Sequence, residues 1–121
     1  MPLLSPAISQ LARMRQWRID GWRSHPVDAQ REVMQTLVTS AQYTEFGRKY
    51  NFHDLFSIRD FKKAVPTHTY EDLKPYIERI MHGEQNLLWN SPIFWFAKSS
   101  GTTSDKSKFI PVSEESLEDC H

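Results

Sequence analysis

The sequence predicts an α+β chain: a string of short helices followed by a strand, a polar loop and a returning strand. Three observations carry that prediction. Apolar residues recur at helical spacing through the first two thirds of the 121 residues. The texture then changes to an aromatic and β-branched run, Ile93-Phe94-Trp95-Phe96-Ala97. A hydroxyl-rich stretch, Lys98 to Lys108, separates this run from a second apolar segment, Phe109-Ile110-Pro111-Val112. A division follows from the same change of texture, with a helical region at 1–86 and the strand, loop, strand and opening helix at 87–121.

The elements follow in order. Ile8, Leu11, Ala12, Ile19 and Trp22 form an amphipathic pattern with Arg13, Arg15, Arg18 and Arg23 on other faces. Arginines on such a helix are ordinarily its solvated side rather than a membrane-binding face. After a break at Ser24-His25-Pro26, Ala29, Val33, Leu37 and Ala41 recur every four residues. Pro26 suits a helix start, where a missing N–H is harmless, and Asp28 suits its positive end. Thr44 to Tyr50 reads as a short helical turn punctuated by Gly47. Ser57 is positioned to cap a helix at Ile58–Ala64, which must end before Pro66. Thr69 and Asp72 resemble a capping box. The helix they open should run through Ile77 and Ile80 to a stop at Gly83, with Pro75 as its candidate break. The Ile93–Ala97 run predicts a buried strand, and Ser113 with Glu114 and Glu115 predicts one more helix start.

Composition narrows the function. Fifteen basic and fifteen acidic residues give zero formal charge, split as +3 through Tyr50 and −3 afterwards. Such a balance argues against nucleic acid or an anionic membrane as partner. No apolar run approaches the roughly 18 residues of a membrane span, and the N-terminus has no basic region ahead of its short apolar stretch. The lone Cys120 allows no internal disulfide and suits a reducing compartment. Together these predict a soluble, cytoplasmic protein.

The segment Ser99 to Lys108 is the place to look for chemistry. Its serines and threonines offer hydroxyl donors, Gly101 allows close backbone approach, and Lys106 and Lys108 add positive charge. That inventory suits a nucleotide's phosphates, though the same residue types make an ordinary surface loop. A Walker A loop is excluded, because Gly101 lacks the second glycine and the spacing to Lys106-Ser107 is one residue short. His25, His53, His68 and His82 show no metal-ligand spacing, and Trp89, Phe94, Trp95 and Phe96 read as core rather than as a substrate pocket. Glu114, Glu115, Glu118 and Asp119 read as a solvated helix start, and Cys120 has no base near it in the sequence.

The string Phe96-Ala97-Lys98-Ser99-Ser100-Gly101-Thr102-Thr103, with Lys108 and Ile110-Pro111 behind it, resembles the phosphate-binding signature of the acyl-adenylate-forming enzymes. More narrowly, it is similar to that of the Gretchen Hagen 3, or auxin-responsive promoter, family of acyl-acid amido synthetases. Thr44-Glu45-Phe46-Gly47-Arg48 and Val65-Pro66-Thr67-His68-Thr69-Tyr70-Glu71-Asp72-Leu73-Lys74-Pro75-Tyr76-Ile77, followed by Gly83-Glu84, carry the same resemblance in the same order. It spans roughly Gln30 to Ser113.

The resemblance implies part of a larger α/β adenylating fold and a two-step reaction. ATP and a small carboxylic acid would give an acyl-adenylate and pyrophosphate, and an amino acid's amine would then take the acyl group. ATP and Mg²⁺ are the implied cofactors, with Ser99, Ser100, Gly101, Thr102, Thr103 and Lys108 as the implied phosphate-binding residues. No catalytic or metal-ligating residue transfers with them. Asp105 departs from the glycine usual in such loops, and Lys106 competes with Lys108 for the phosphate. The chain reads as an N-terminal fragment, inactive by itself; the alternative is a small helical protein-interaction module in which the Ser/Thr loop is only a linker.

Overall fold

A computed structural model describes residues 5–100 and 107–119. The chain falls into two compact units, residues 1–35 and 36–121. The first holds α1, Ser5–Ser24, and the opening of α2, Pro26–Ala41. No described side chain of this unit is buried, and Leu11, Met14 and Trp17 are all more than half exposed. Arg18 lies over the Trp22 ring at 5.5 Å, one turn apart on the helix. The predicted arginine-rich helix is therefore present, with its apolar residues as solvated as its charges.

The second unit contains the core. It begins with the end of α2, where Val38 and Ala41 are buried, and continues through α3, Glu45–Lys49, a 3₁₀ turn at Phe52–Asp54, and α4, Ile58–Ala64. Ser57 caps α4 as its sequence predicts, its hydroxyl accepting the Asp60 N–H at 3.1 Å. Helix α5, Tyr70–Met81, opens on a complete capping box. Thr69 Oγ1 accepts the Asp72 N–H, while the Asp72 carboxylate accepts the Thr69 N–H at 2.7 Å. The Thr69 backbone N–H first, and then the Thr69 hydroxyl donating to the same carboxylate at 2.7 Å, hold the Asp72 carboxyl below its usual range.

At Pro75, the candidate break, α5 runs on without interruption. Proline forfeits only its own bond to the carbonyl four residues back, that of Glu71, and both residues are exposed so that water can serve the freed oxygen. The predicted stop is present. Gly83 takes φ 99°, with Gly83 N–H donating to Ile80 O and Glu84 N–H to Arg79 O. These two bonds close the helix as a Schellman motif.

Ile80, Leu87 and Ile93 form a core cluster, with Tyr76, Leu88, Trp89 and Phe96 packed against it. Gln85 holds Ile93 in place like a strand partner: its amide accepts the Ile93 N–H at 2.8 Å and donates to the Ile93 carbonyl at 3.1 Å. Strands β1, Trp95–Lys98, and β2, Phe109–Val112, pair antiparallel with Lys98 opposite Phe109 and Phe96 opposite Pro111. The expectation of a buried strand fails. Phe94 is 76% and Trp95 57% exposed; of the run, Ile93 belongs to the cluster and Phe96 packs against it. A single pair of strands against one helical layer covers one face, so an uninterrupted apolar run does not by itself secure burial. Helix α6, Glu114–Asp119, follows Ser113, whose hydroxyl accepts the Ser116 N–H at 3.2 Å.

Candidate functional site

The hairpin of β1 and β2 positions the two ends of the predicted phosphate loop. Its register continues one step past the strands: Ser99 N–H donates to Lys108 O at 2.9 Å, and Lys108 N–H donates to the Ser99 hydroxyl at 3.0 Å. Ser99 and Lys108 thus close a neck between the two ends of that segment. The hydrogen-bonded pair at the neck makes Lys98–Phe109 and Phe96–Pro111 the non-hydrogen-bonded pairs of the ladder. Pro111 therefore costs no ladder bond, because an N–H there would point away from β1.

Of the residues predicted to meet phosphate, the structure places three. Ser99 is half-buried with its hydroxyl engaged by the Lys108 backbone, so it shapes the loop as well as offering an O–H. Ser100 is exposed at the mouth of the loop. The Lys108 ammonium lies 5.6 Å from the centre of the Tyr70 ring. Gly101, Thr102 and Thr103 lie outside the described residues, as do Asp105 and Lys106.

Beside the neck, α5 and the start of β2 enclose an open groove of about 620 Å³. Tyr70, Lys74 and Ile77 form its helical wall, and Ser107, Lys108 and Phe109 the other side. Lys74 is paired with Glu71 at 3.7 Å, whereas Lys108 lines the groove beside an aromatic ring and forms no salt bridge with a carboxylate among the described residues. A cation in that setting keeps its charge available to an anion. A second, smaller cavity of about 250 Å³ is lined by Phe94, Trp95, Val112 and Glu115 among others. The aromatic residues thus divide: Trp89 and Phe96 serve the core, and Phe94 and Trp95 line this cavity. Glu115 is held below the usual carboxylate range by its own backbone N–H first and by the Ser91 hydroxyl, 2.8 Å away.

The other sequence candidates have structural partners. His68 Nε2 lies 2.9 Å from the Tyr50 hydroxyl, His53 Nε2 3.1 Å from Asp54, and His82 Nδ1 2.7 Å from the Glu78 carbonyl. Among the described residues no group of three His, Cys, Asp or Glu is arranged to hold a metal ion. Nor is any described helix long and apolar enough to cross a membrane.

The Thr44–Arg48 motif turns out to be a structural joint. Thr44 is fully buried, and its hydroxyl donates to Ala41 O at 2.7 Å while accepting the Gly47 N–H at 3.0 Å. The N–H groups of Glu45 and Phe46 donate to the carbonyls of Asn86 and Leu87 at 3.1 and 3.0 Å, so the free donors at the start of α3 are all used. A Cβ at Gly47 would fall on the Ala41 carbonyl, which explains the glycine. Across the same joint the Arg79 guanidinium donates to both oxygens of Glu45 at 2.8 Å and to Glu84 at 2.7 Å. Hydrogen bonds from Arg79 hold the Glu45 and Glu84 carboxyls below their usual range, and its own pKa rises in return. This ion triad was invisible to sequence reasoning, since Glu45 and Arg79 lie 34 residues apart.

The family model described as GH3 family N-terminal domain matches residues 15–121. The chain belongs to the GH3 family. It is 35% identical over 101 residues to the indole-3-acetic acid-amido synthetase GH3.2 of Arabidopsis thaliana, covering 83% of this chain and 18% of that protein. Against the jasmonoyl-L-amino acid synthetase JAR4 of Nicotiana attenuata the identity is 36% over 90 residues, covering 74% and 16%. The solved GH3.15 acyl acid amido synthetase superposes with a TM-score of 0.75 at 32% identity, covering 84% of this chain and 18% of that one. The chain thus spans less than a fifth of the length of these GH3 relatives.

Proposed function

We propose that this chain supplies the phosphate-binding corner of an ATP-dependent ligase that joins a small carboxylic acid to an amino acid. The observation that supports it is the neck: Ser99 and Lys108, nine residues apart, are locked together by two hydrogen bonds in a GH3 family chain. The residues at and beyond the neck then act together on ATP. Ser99, Ser100, Gly101, Thr102 and Thr103 offer hydroxyl and backbone N–H donors to its phosphates, and Lys108 offers charge.

The reaction would run in two steps. A carboxylate oxygen of the acid attacks the α-phosphorus of ATP, the bond to the β-phosphate oxygen breaks, and pyrophosphate departs. The amine of the amino acid then attacks the activated carbonyl, AMP leaves, and the amine's surplus proton passes to solvent or a base. Negative charge builds on the departing pyrophosphate during the first step, and Lys108 with the loop donors would stabilise it by position and charge rather than by covalent bonding. The donor set on this chain is neutral hydroxyls and one ammonium, which suits phosphate oxygens; Mg²⁺, a hard cation, would enter with those oxygens. The relatives' names suggest indole-3-acetic or jasmonic acid as the kind of acid involved. The parts of the site that hold the acid and the amine belong to the remaining length of such relatives, so the 121 residues alone should release no pyrophosphate from ATP.

The test is ATP–pyrophosphate exchange by the full-length protein that carries this chain. Lys108→Ala should lower the exchange rate about a hundredfold. Undiminished exchange would remove Lys108 from the site and leave Lys106 as the phosphate's cation.

A further inference from the structure

We propose that Tyr70 is a positioning residue for Lys108, holding both its backbone and its ammonium in place for phosphate. The inference rests on the phosphate-binding reading of the neck and adds to it a residue 38 positions away in sequence.

Tyr70 is the first residue of α5, directly after the N-cap Thr69 and within the capping box that Thr69 forms with Asp72. That box fixes where the helix begins, and Ile77 and Ile80 bury its later turns, so the Tyr70 ring projects from a rigid base. Its hydroxyl lies at the outer edge of β2. It accepts the Phe109 N–H at 3.0 Å and approaches the Phe109 carbonyl at 3.4 Å. Phe109 sits opposite Lys98 in a non-hydrogen-bonded pair, so these two backbone groups point away from β1 and would otherwise have no partner in the hairpin. One phenol occupies the place of a third strand.

The same side chain meets Lys108 in a second way. The face of its ring lies 5.6 Å from the Lys108 ammonium. A lysine on a four-carbon stem pays rotamer entropy to hold one position, and a ring beneath the charge restrains it without neutralising it, as a carboxylate would. The backbone of Lys108 is fixed from the other side by Ser99. Tyr70 and Ser99 therefore grip the residue between them, one through the groove wall and the other through the hairpin.

A residue that only glued the hairpin to α5 would predict a different outcome from one that acts through Lys108. A double-mutant cycle in the full-length protein separates them, with ATP–pyrophosphate exchange as the assay and melting temperature as the check on folding. Tyr70→Phe keeps the ring and removes the hydroxyl, and should lower kcat/KM for ATP about five- to tenfold while the KM for the amino acid stays unchanged. In a Lys108→Ala background the same change should alter exchange by less than about twofold. Tyr70→Leu, which also removes the ring, should lose more than Tyr70→Phe and again lose nothing further once Lys108 is gone. Losses that multiply in the double variants would overturn the proposal in favour of a purely structural tyrosine. Exchange impaired by Lys108→Ala but untouched by either Tyr70 change would overturn the role of Tyr70 alone. Exchange indifferent to Lys108→Ala would remove the phosphate reading and this proposal together.

Discussion

Two of the stretches that carry the family resemblance, residues 44–48 and residues 96–108, are built in opposite ways. At the first, polar groups are spent inward. Thr44 uses its hydroxyl as both donor and acceptor, the opening N–H groups of α3 go to Asn86 and Leu87, and Gly47 leaves room for the Ala41 carbonyl. At the second, polar groups are arranged outward. Ser99, through its N–H and its hydroxyl, locks to the backbone of Lys108, which leaves the Lys108 ammonium over a ring at the edge of a groove. A family signature can thus record either a joint that must close or a surface that must stay open. Hydrogen-bond accounting tells them apart: a motif whose donors are all satisfied within the protein has little left for a ligand.

Variants at the two motifs should therefore fail in different ways. The largest effect belongs to Gly47→Ala, because the new methyl collides with backbone rather than with a side chain that could swing aside. A loss of about 3 kcal/mol or more is expected, read as a lowered melting temperature of the full-length protein; an unchanged melt would mean that α3 can shift away from α2. Lys108→Ala, drastic for exchange, should stay within about 0.5 kcal/mol of the parent in stability, as for an ordinary surface change. A stability loss comparable to that of Gly47→Ala would erase the distinction between joint and open surface.

The smallest effect concerns Arg79. Its hydrogen bonds hold Glu45 and Glu84 below their ordinary value of 4.5, so their contribution to stability is present above that pH and is lost as pH falls through the lower native values. Arg79→Met should melt earlier than the parent at pH 7, and the gap should close as pH drops below about 4. A gap that persists at pH 3 would show that Arg79 acts by packing its stem rather than by pairing.

Much of the fold is legible in local sequence. The Ser57 cap, the Thr69–Asp72 box, the stop at Gly83 and the Ser113 cap each depend on residues within a few positions of one another, so sequence spacing specifies them directly. Pro75 left a break open in the sequence because the cost of a proline depends on whether water reaches the carbonyl it orphans. The Ile93–Ala97 run misled because periodicity reports apolarity, while burial depends on what lies opposite; Phe96 found the core and Phe94 did not. Ser99 and Lys108 could be named as candidates from residue type and order. Their mutual lock could not, since it depends on hairpin register.

By itself, then, the sequence determined the helices, their caps, the turn from helical to strand texture and the family signature around Ser99 and Lys108. Tertiary structure decided which signature closes inward and which opens outward. It also brought Arg79 to Glu45 across 34 positions and Tyr70 to Phe109 across 39. The physical reason is range. Backbone capping and side-chain periodicity act over a few residues, whereas burial, register and the pairing of distant groups exist only once the chain has folded back on itself.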